Sequence, residues 1–172
     1  MEKSGEYIIP VKGLDIGVHR FRINIGNSFF ESMDFADIKK GDLTLNLSVE
    51  KESNLMVFNF KLSGTVNVQC DRCLDYFDQN IAGNFKLIFK NSDHYEEITD
   101  EVINIPSEES RIDISRYLFE FINLMIPIKK VHANDEFGNS TCNPEMLEKL
   151  EEYKVRKESP QWKNALKSIK LE

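Results

Sequence analysis

The sequence predicts an α+β fold from three features: a series of alternating apolar strands, one strongly amphipathic helical segment behind them, and further helical segments at the C-terminal end. Consecutive strands at hairpin spacing favour an antiparallel meander, and such a sheet could be barrel-like. We therefore expect an antiparallel β-sheet with one helix packed on it. Residues 1–157 are expected to form this domain, and residues 158–172 a C-terminal amphipathic helix.

Alternation with a period of two is clearest between residues 43 and 70. Every second residue from Leu43 to Val49 is apolar, which is typical of a half-buried strand. One parity then continues from Met56 to Cys70, so Cys70 should point to the apolar side unless Gly64 introduces a bulge. Shorter strands are expected at 7–11, at 21–25, in a 77–89 region broken near Ala82-Gly83, and at 102–105.

The helical segments are predicted from their caps. Asp113 is a good N-cap for a helix whose apolar stripe stops before Pro127. Asn143-Pro144 and Ser159-Pro160 each combine a capping side chain with proline at the first helical position. The charged residues 154–158 are expected to form a linker between these last two helices.

Length and charge limit the classes of function. The chain has 172 residues, of which 41% are hydrophobic and 30% charged, and a formal net charge of -7. That balance argues against a general electrostatic nucleic-acid binder, which presents a basic surface. We see no signal peptide after Met1 and no apolar run of transmembrane length, so we expect a cytoplasmic protein without membrane association.

Three cysteines and a histidine are the strongest chemical signal. Cys70 and Cys73 stand at a predicted hairpin tip, where a short turn can direct both sulfurs at one soft metal ion. Cys142 is the only other cysteine, and with His132 it could complete a tetrahedral set of three sulfurs and one nitrogen. The alternative is three reduced thiols, which behave as small buried apolar side chains, and a surface histidine.

Several blocks follow one another in a characteristic order. They are Gly64 to Leu74, the helix end from Leu124 to Ile128, then His132 and Cys142, and last Ser159 to Trp162 with Leu166. In this order the chain resembles the YceD family, the large ribosomal RNA subunit accumulation proteins. Relatives often read Asp-Pro-Arg-Trp in the last block, whereas here Ser159 and Gln161 replace the Asp and the Arg.

The resemblance implies a bacterial cytoplasmic factor that supports the accumulation or processing of 23S ribosomal RNA, and hence assembly of the large subunit. Family members are not known as enzymes. The implied partner is the 23S rRNA precursor or a large-subunit ribosomal protein, with no small-molecule substrate. Spacing and resemblance together predict a structural zinc ion held by Cys70, Cys73, His132 and Cys142, a closed site with no open position for an activated water.

Contacts with RNA would have to come from local basic groups, for which we single out Arg72, Lys129 and Lys130, although for each a solvated residue is the favoured alternative. Trp162 lies on a detached amphipathic segment that could dock a partner or fold back on its own domain.

Two other functions remain open from the sequence. A thiol-disulfide oxidoreductase could use Cys70 and Cys73, but such chemistry favours a first cysteine at a helix N-terminus, and the residues after Cys73 indicate a strand. A protein-binding adaptor could recruit its partner through the Trp162 helix.

Overall fold

The computed structural model describes residues 7–32, 38 and 40–156, and it confirms the α+β class. The predicted boundary between residues 157 and 158, and the terminal helix with Trp162, lie outside the described residues. None of the described helices has both the length and the apolar character that a bilayer-spanning helix needs.

The chain divides into two compact units. The first comprises Met1–Val68 with Asp78–Ile128, and the second comprises Gln69–Phe77 with Lys129–Glu172. Each unit therefore combines segments that are distant in sequence.

Secondary structure in the described residues consists of eight strands and three helices. They are β1 Ile8–Pro10, β2 Gly17–Ile25, α1 Asn27–Glu31, β3 Gly41–Lys51, β4 Leu55–Gln69, β5 Tyr76–Ser92, β6 Glu96–Thr99, β7 Val102–Pro106, β8 Arg111–Asp113, α2 Ser115–Met125 and α3 Pro144–Arg156.

Six strands form one sheet in the order β2-β3-β4-β5-β7-β6, and β1 pairs with β8 in a separate antiparallel ribbon. The pairs β2–β3 and β3–β4 are antiparallel, as the meander prediction required. β7 departs from that pattern because it lies beside β5 in parallel, with β6 antiparallel on its other side. The described sheet keeps two edges, β2 and β6, and does not close into a barrel.

The predicted parity of the central strands holds through Gly64. β3 and β4 pair without a register shift, with Leu43 opposite Gly64, and Cys70 is fully buried beyond the end of β4. Gly64 has a φ of 150°, and a Cβ there would run into the backbone of Asp42 and Leu43. Glycine thus allows two strands to approach closely without a bulge, which keeps the apolar side continuous up to the cysteine.

α2 covers the apolar face of the first unit. The ring of Phe121 stacks on Phe85 with centroids 4.2 Å apart and meets Phe60 edge-on at 5.2 Å. The helix begins at Ser115 and not at the predicted Asp113. Asp113 belongs to β8, although its Oδ1 accepts a hydrogen bond of 2.8 Å from the backbone N–H of Ser115.

Two further predictions were wrong. β5 is continuous over 17 residues and has no break at Ala82-Gly83. The glycine instead leaves room for α2, since a Cβ on Gly83 would lie 2.7 Å from Sδ of Met125. Residues 154–156 are not a linker, because α3 continues to Arg156.

Gly64→Ala should lower the free energy of unfolding by roughly 2–4 kcal/mol, because the methyl group meets backbone atoms and the φ disfavours any L side chain. Gly13→Ala is the matched control, with nothing within 4 Å of the added Cβ, and should change stability by no more than about 0.5 kcal/mol. Urea unfolding followed by circular dichroism measures both. Equal midpoints for the two variants would contradict the close approach.

Candidate metal centre

The turn between β4 and β5 presents the first two cysteines. The N–H of Leu74 donates to the carbonyl of Cys70 at 3.0 Å, and the N–H of Cys70 donates to the carbonyl of Asp75 at 2.9 Å. Gln69 adds a side-chain hydrogen bond from Nε2 to the carbonyl of Leu74. Leu74 has a φ of 64°, which is uncommon for a non-glycine residue and lets the chain reverse directly after Cys73. Both sulfurs are buried by this reversal.

A pair of interactions joins this turn to the segment that carries His132. The N–H of Asp71 donates to the carbonyl of Lys130 at 2.7 Å, and Oδ2 of Asp71 accepts from the N–H of Lys130 at 2.7 Å. Nζ of Lys130 also lies 3.8 Å from Oδ1 of Asp71. His132 follows two residues later, so this contact determines where its imidazole enters the site.

The loop between His132 and Cys142 is closed by Asp135. Its Oδ1 accepts hydrogen bonds from the N–H groups of Phe137 and Asn139, and its Oδ2 accepts from Nδ2 of Asn139. The hydrogen bond from the side-chain amide of Asn139 is the main reason that the pKa of the Asp135 carboxyl lies below its ordinary value. The loop therefore returns Cys142 to His132.

α3 begins immediately after Cys142. Oδ1 of Asn143 accepts a hydrogen bond of 3.1 Å from the N–H of Glu145, so the predicted cap at Asn143-Pro144 is present. The helix contributes Met146 and Leu147, which pack against the three cysteines together with Phe77 and Val131. This small cluster is the core around the cysteines in the second unit.

Four potential ligand atoms form one cluster, in which all lie within 4.8 Å of one another. Sγ of Cys70 lies 3.8 Å from Sγ of Cys142, while Nδ1 of His132 lies 3.4 Å from Sγ of Cys73 and 3.7 Å from Sγ of Cys142. Zn–S bonds of about 2.3 Å and Zn–N bonds of about 2.0–2.1 Å at tetrahedral angles place sulfurs about 3.8 Å apart and sulfur and nitrogen about 3.6 Å apart. The observed spacing fits a tetrahedral ion.

The charge state of the sulfurs also fits a cation. Burial acts to raise the pKa of Cys70, but hydrogen bonds from the backbone N–H groups of Cys73 and Arg72, with contributions from His132, outweigh it and lower the pKa to about 6. At neutral pH Cys70 is therefore a thiolate. Burial raises the pKa of Cys73, and the sulfurs of Cys70 and Cys142 add to that increase. A bound cation would remove this mutual repulsion and favour the thiolate at all three positions.

The ring of Phe77 covers the imidazole of His132, with centroids 4.6 Å apart and an interplanar angle of 35°. Cys70, Cys73 and Cys142 are each exposed by 5% or less. The cluster is thus shielded from solvent on several sides, which suits a structural metal better than a site that must admit substrate.

Two of the basic residues predicted as partner contacts are used within the second unit. Nη1 of Arg72 donates to Oγ of Ser140 at 3.2 Å, and Lys130 is paired with Asp71. Lys129 is exposed, and Trp162 lies outside the described residues. Whether any of the four meets RNA or protein stays a prediction.

Three positioning residues were missed by the sequence analysis: Asp71, Asp135 and Ser140. Oγ of Ser140 accepts hydrogen bonds from both Arg72 and the N–H of Cys142, so it joins the two halves of the cluster. An aspartate directly after the first cysteine was the only local signal, since a carboxylate in a turn commonly accepts backbone N–H groups. Nothing in the sequence indicated that its partner would be Lys130.

Among known proteins, the chain matches the family model described as "Large ribosomal RNA subunit accumulation protein YceD" over residues 58–170. The matched range includes all four residues of the cluster. No curated protein and no solved structure shows significant similarity to the chain. Because the family model covers more than half of the sequence and matches it through the cysteine turn, α2 and α3, the chain belongs to the YceD family.

Proposed function

We propose that this protein is a non-enzymatic factor in ribosome biogenesis that supports accumulation or processing of 23S rRNA and assembly of the large subunit. The family match supports the ribosomal part of the proposal, and the buried cluster of Cys70, Cys73, His132 and Cys142 supports binding rather than catalysis. Its partner is the 23S rRNA precursor or a large-subunit ribosomal protein, met in the cytoplasm.

The metal in this proposal is zinc. Three thiolates and one imidazole form a soft donor set, and tetrahedral sulfur and nitrogen coordination is typical of structural zinc. All four positions are supplied by protein, so the ion has no open position for water or substrate. Its role is to join the β4–β5 turn to the segment before α3, within a unit whose apolar core around the cysteines is small.

A thiol-disulfide oxidoreductase is the second candidate, and it is favoured by the lowered pKa of Cys70. Its sulfur is fully buried, however, and the turn leads into strand β5 and not into a helix whose dipole could activate it. None of the three cysteines is in a disulfide bond.

The purified protein should contain one zinc ion per chain by elemental mass spectrometry, and His132→Asn should weaken zinc binding by more than about 100-fold, since even outer-shell partners contribute 10–100-fold. His94→Asn is the matched control, because His94 is exposed and outside the cluster, and it should retain the full zinc content. Equal zinc content in both variants would show that His132 is not a ligand. A reversible disulfide in metal-free wild-type protein would favour the redox function instead.

Chelation should destabilise the second unit selectively. Few apolar side chains pack around its cysteines, so the bound metal should supply much of its stability. By hydrogen exchange, residues 69–77 and 129–156 should lose protection on metal removal, while the apolar stretches of β3 and β4 stay protected. Re-addition of zinc should restore the protection. Uniform exchange across both units would show that the cluster is not a local structural element.

A tagged copy purified from its own cells should enrich precursor 23S rRNA and large-subunit proteins in the co-purifying material. Loss of the proteins after nuclease treatment would indicate attachment through RNA, and their retention would indicate a protein contact. The zinc-deficient His132→Asn variant should recover less of both than His94→Asn. Recovery of no ribosomal component by the wild type would overturn the proposed function.

A further inference from the structure

A second feature of the molecule, in the first unit, is a row of cations on the polar face of the sheet. Arg20 and Arg22 of β2, Lys61 of β4 and Lys86 of β5 are all exposed, and Lys61 and Lys86 alternate along their strands with buried residues such as Leu62 and Leu87. On β3, Ser48 stands opposite Arg20 and Asn46 stands opposite Arg22. We call these four cations the basic face.

The register places the basic face on the side of the sheet away from the core. Asn46 pairs in turn with Lys61, while the neighbouring Leu45 and Leu47 point to the other side and are buried. Arg22 and Lys61 therefore lie two strands apart in one row, and Arg20 is about 7 Å from Arg22 along β2. The charges are close enough to meet neighbouring groups of one ligand.

None of the four cations is neutralised by another residue that the structure describes. The ion pairs among the described residues involve His94, Arg116 and Lys130, and no hydrogen bond engages the side chains of the basic face. Among the described residues of β2, β3 and β4, Glu50 lies one row from Arg20. Like charges on one sheet face oppose folding slightly, so their grouping in a chain of net charge -7 points to an anionic ligand.

The neutral side chains between the cations indicate which polyanion fits. Asn46 and Asn59 lie in the cationic rows, and Asn84 precedes Lys86 by two residues on the same side of β5. Amides both donate and accept hydrogen bonds, as contacts with ribose hydroxyls require. The paired rows of β2, β3 and β4 contain no aromatic side chain, so this surface lacks the stacking platform that single strands use.

We propose that the basic face binds the sugar-phosphate backbone of double-helical RNA. The proposal deepens the proposed function, on which the choice of RNA as the polyanion rests. Arg20, Arg22, Lys61 and Lys86 contact phosphates, and the asparagines between them contact ribose hydroxyls. Recognition is by backbone and shape, without reading of base sequence. The contacts are made by the first unit, so they are independent of the metal ligands.

The test is titration of the zinc-loaded protein into a fluorescein-labelled RNA duplex, with anisotropy measured between about 50 and 200 mM potassium chloride. The variant Arg20→Gln/Arg22→Gln/Lys61→Gln should bind at least about 10-fold more weakly, and its plot of log affinity against log salt should be shallower by about 2–3, because three phosphate contacts are lost. All three side chains are exposed and have no partner among the residues the structure describes, so circular dichroism and the Tm should match the wild type.

The control carries the same loss of charge elsewhere, as Lys12→Gln/Arg111→Gln/Lys149→Gln, and all three of its side chains are exposed. It should keep the affinity and salt dependence of the wild type to within about 2-fold. Equal weakening of both triple variants, or loss in the control alone, would overturn the basic face as the binding surface, as would a wild type that does not bind the duplex.

If the wild type fails to bind RNA but still recovers large-subunit proteins after nuclease treatment, this inference is wrong and the proposed function stands. Binding lost only in the basic-face variant, without ribosomal material from cells, would support the surface and overturn the function.

Discussion

The second unit depends on one electrostatic constraint, the crowding of three buried sulfurs around one imidazole. Sγ of Cys70 and Sγ of Cys142 are 3.8 Å apart, and Cys70 is a thiolate at neutral pH. Additional negative charge at that distance is costly in a low-dielectric interior unless a cation is present. The partly buried apolar side chains around the cysteines are few, so the metal ion proposed above would explain how segments so far apart in sequence stay together.

That constraint also explains the polar interactions around the cluster. Asp71 holds the segment before His132, and Ser140 accepts a hydrogen bond from the N–H of Cys142, so each approach to the site is fixed by a side chain that is not itself a candidate ligand. Such outer contacts would orient the ligands of the proposed ion. They also account for Arg72 and Lys130, whose charges are used locally and not simply solvated.

Much of the fold follows from local pattern, and the exceptions have identifiable causes. Alternation predicted β3, β4 and the burial of Cys70, because a side-chain period of two is a property of each strand alone. The continuity of β5 through Gly83 was missed, since only the packed α2 shows that the glycine makes room for Met125. The parallel placement of β7 beside β5 was missed for the same reason: alternation predicts a strand but not its neighbour. At the cluster, residue type predicted the four candidate ligands, whereas the role of Asp71 required knowledge of a partner 59 residues away.

The net charge of the chain also fails to predict a local cationic surface. A total of -7 argues against general nucleic-acid binding only if the charges are evenly spread over the surface. Here the register of β2, β3 and β4 gathers Arg22 and Lys61 in one row, while the acidic stretch that contains Glu96 and Glu97 lies on β6 at the far edge of the sheet. Separation of charge by strand order lets an acidic protein present a local cationic surface. Since a phosphate backbone interacts mainly with charges within about one Debye length, roughly 8 Å at physiological salt, that local surface matters more to RNA than the total.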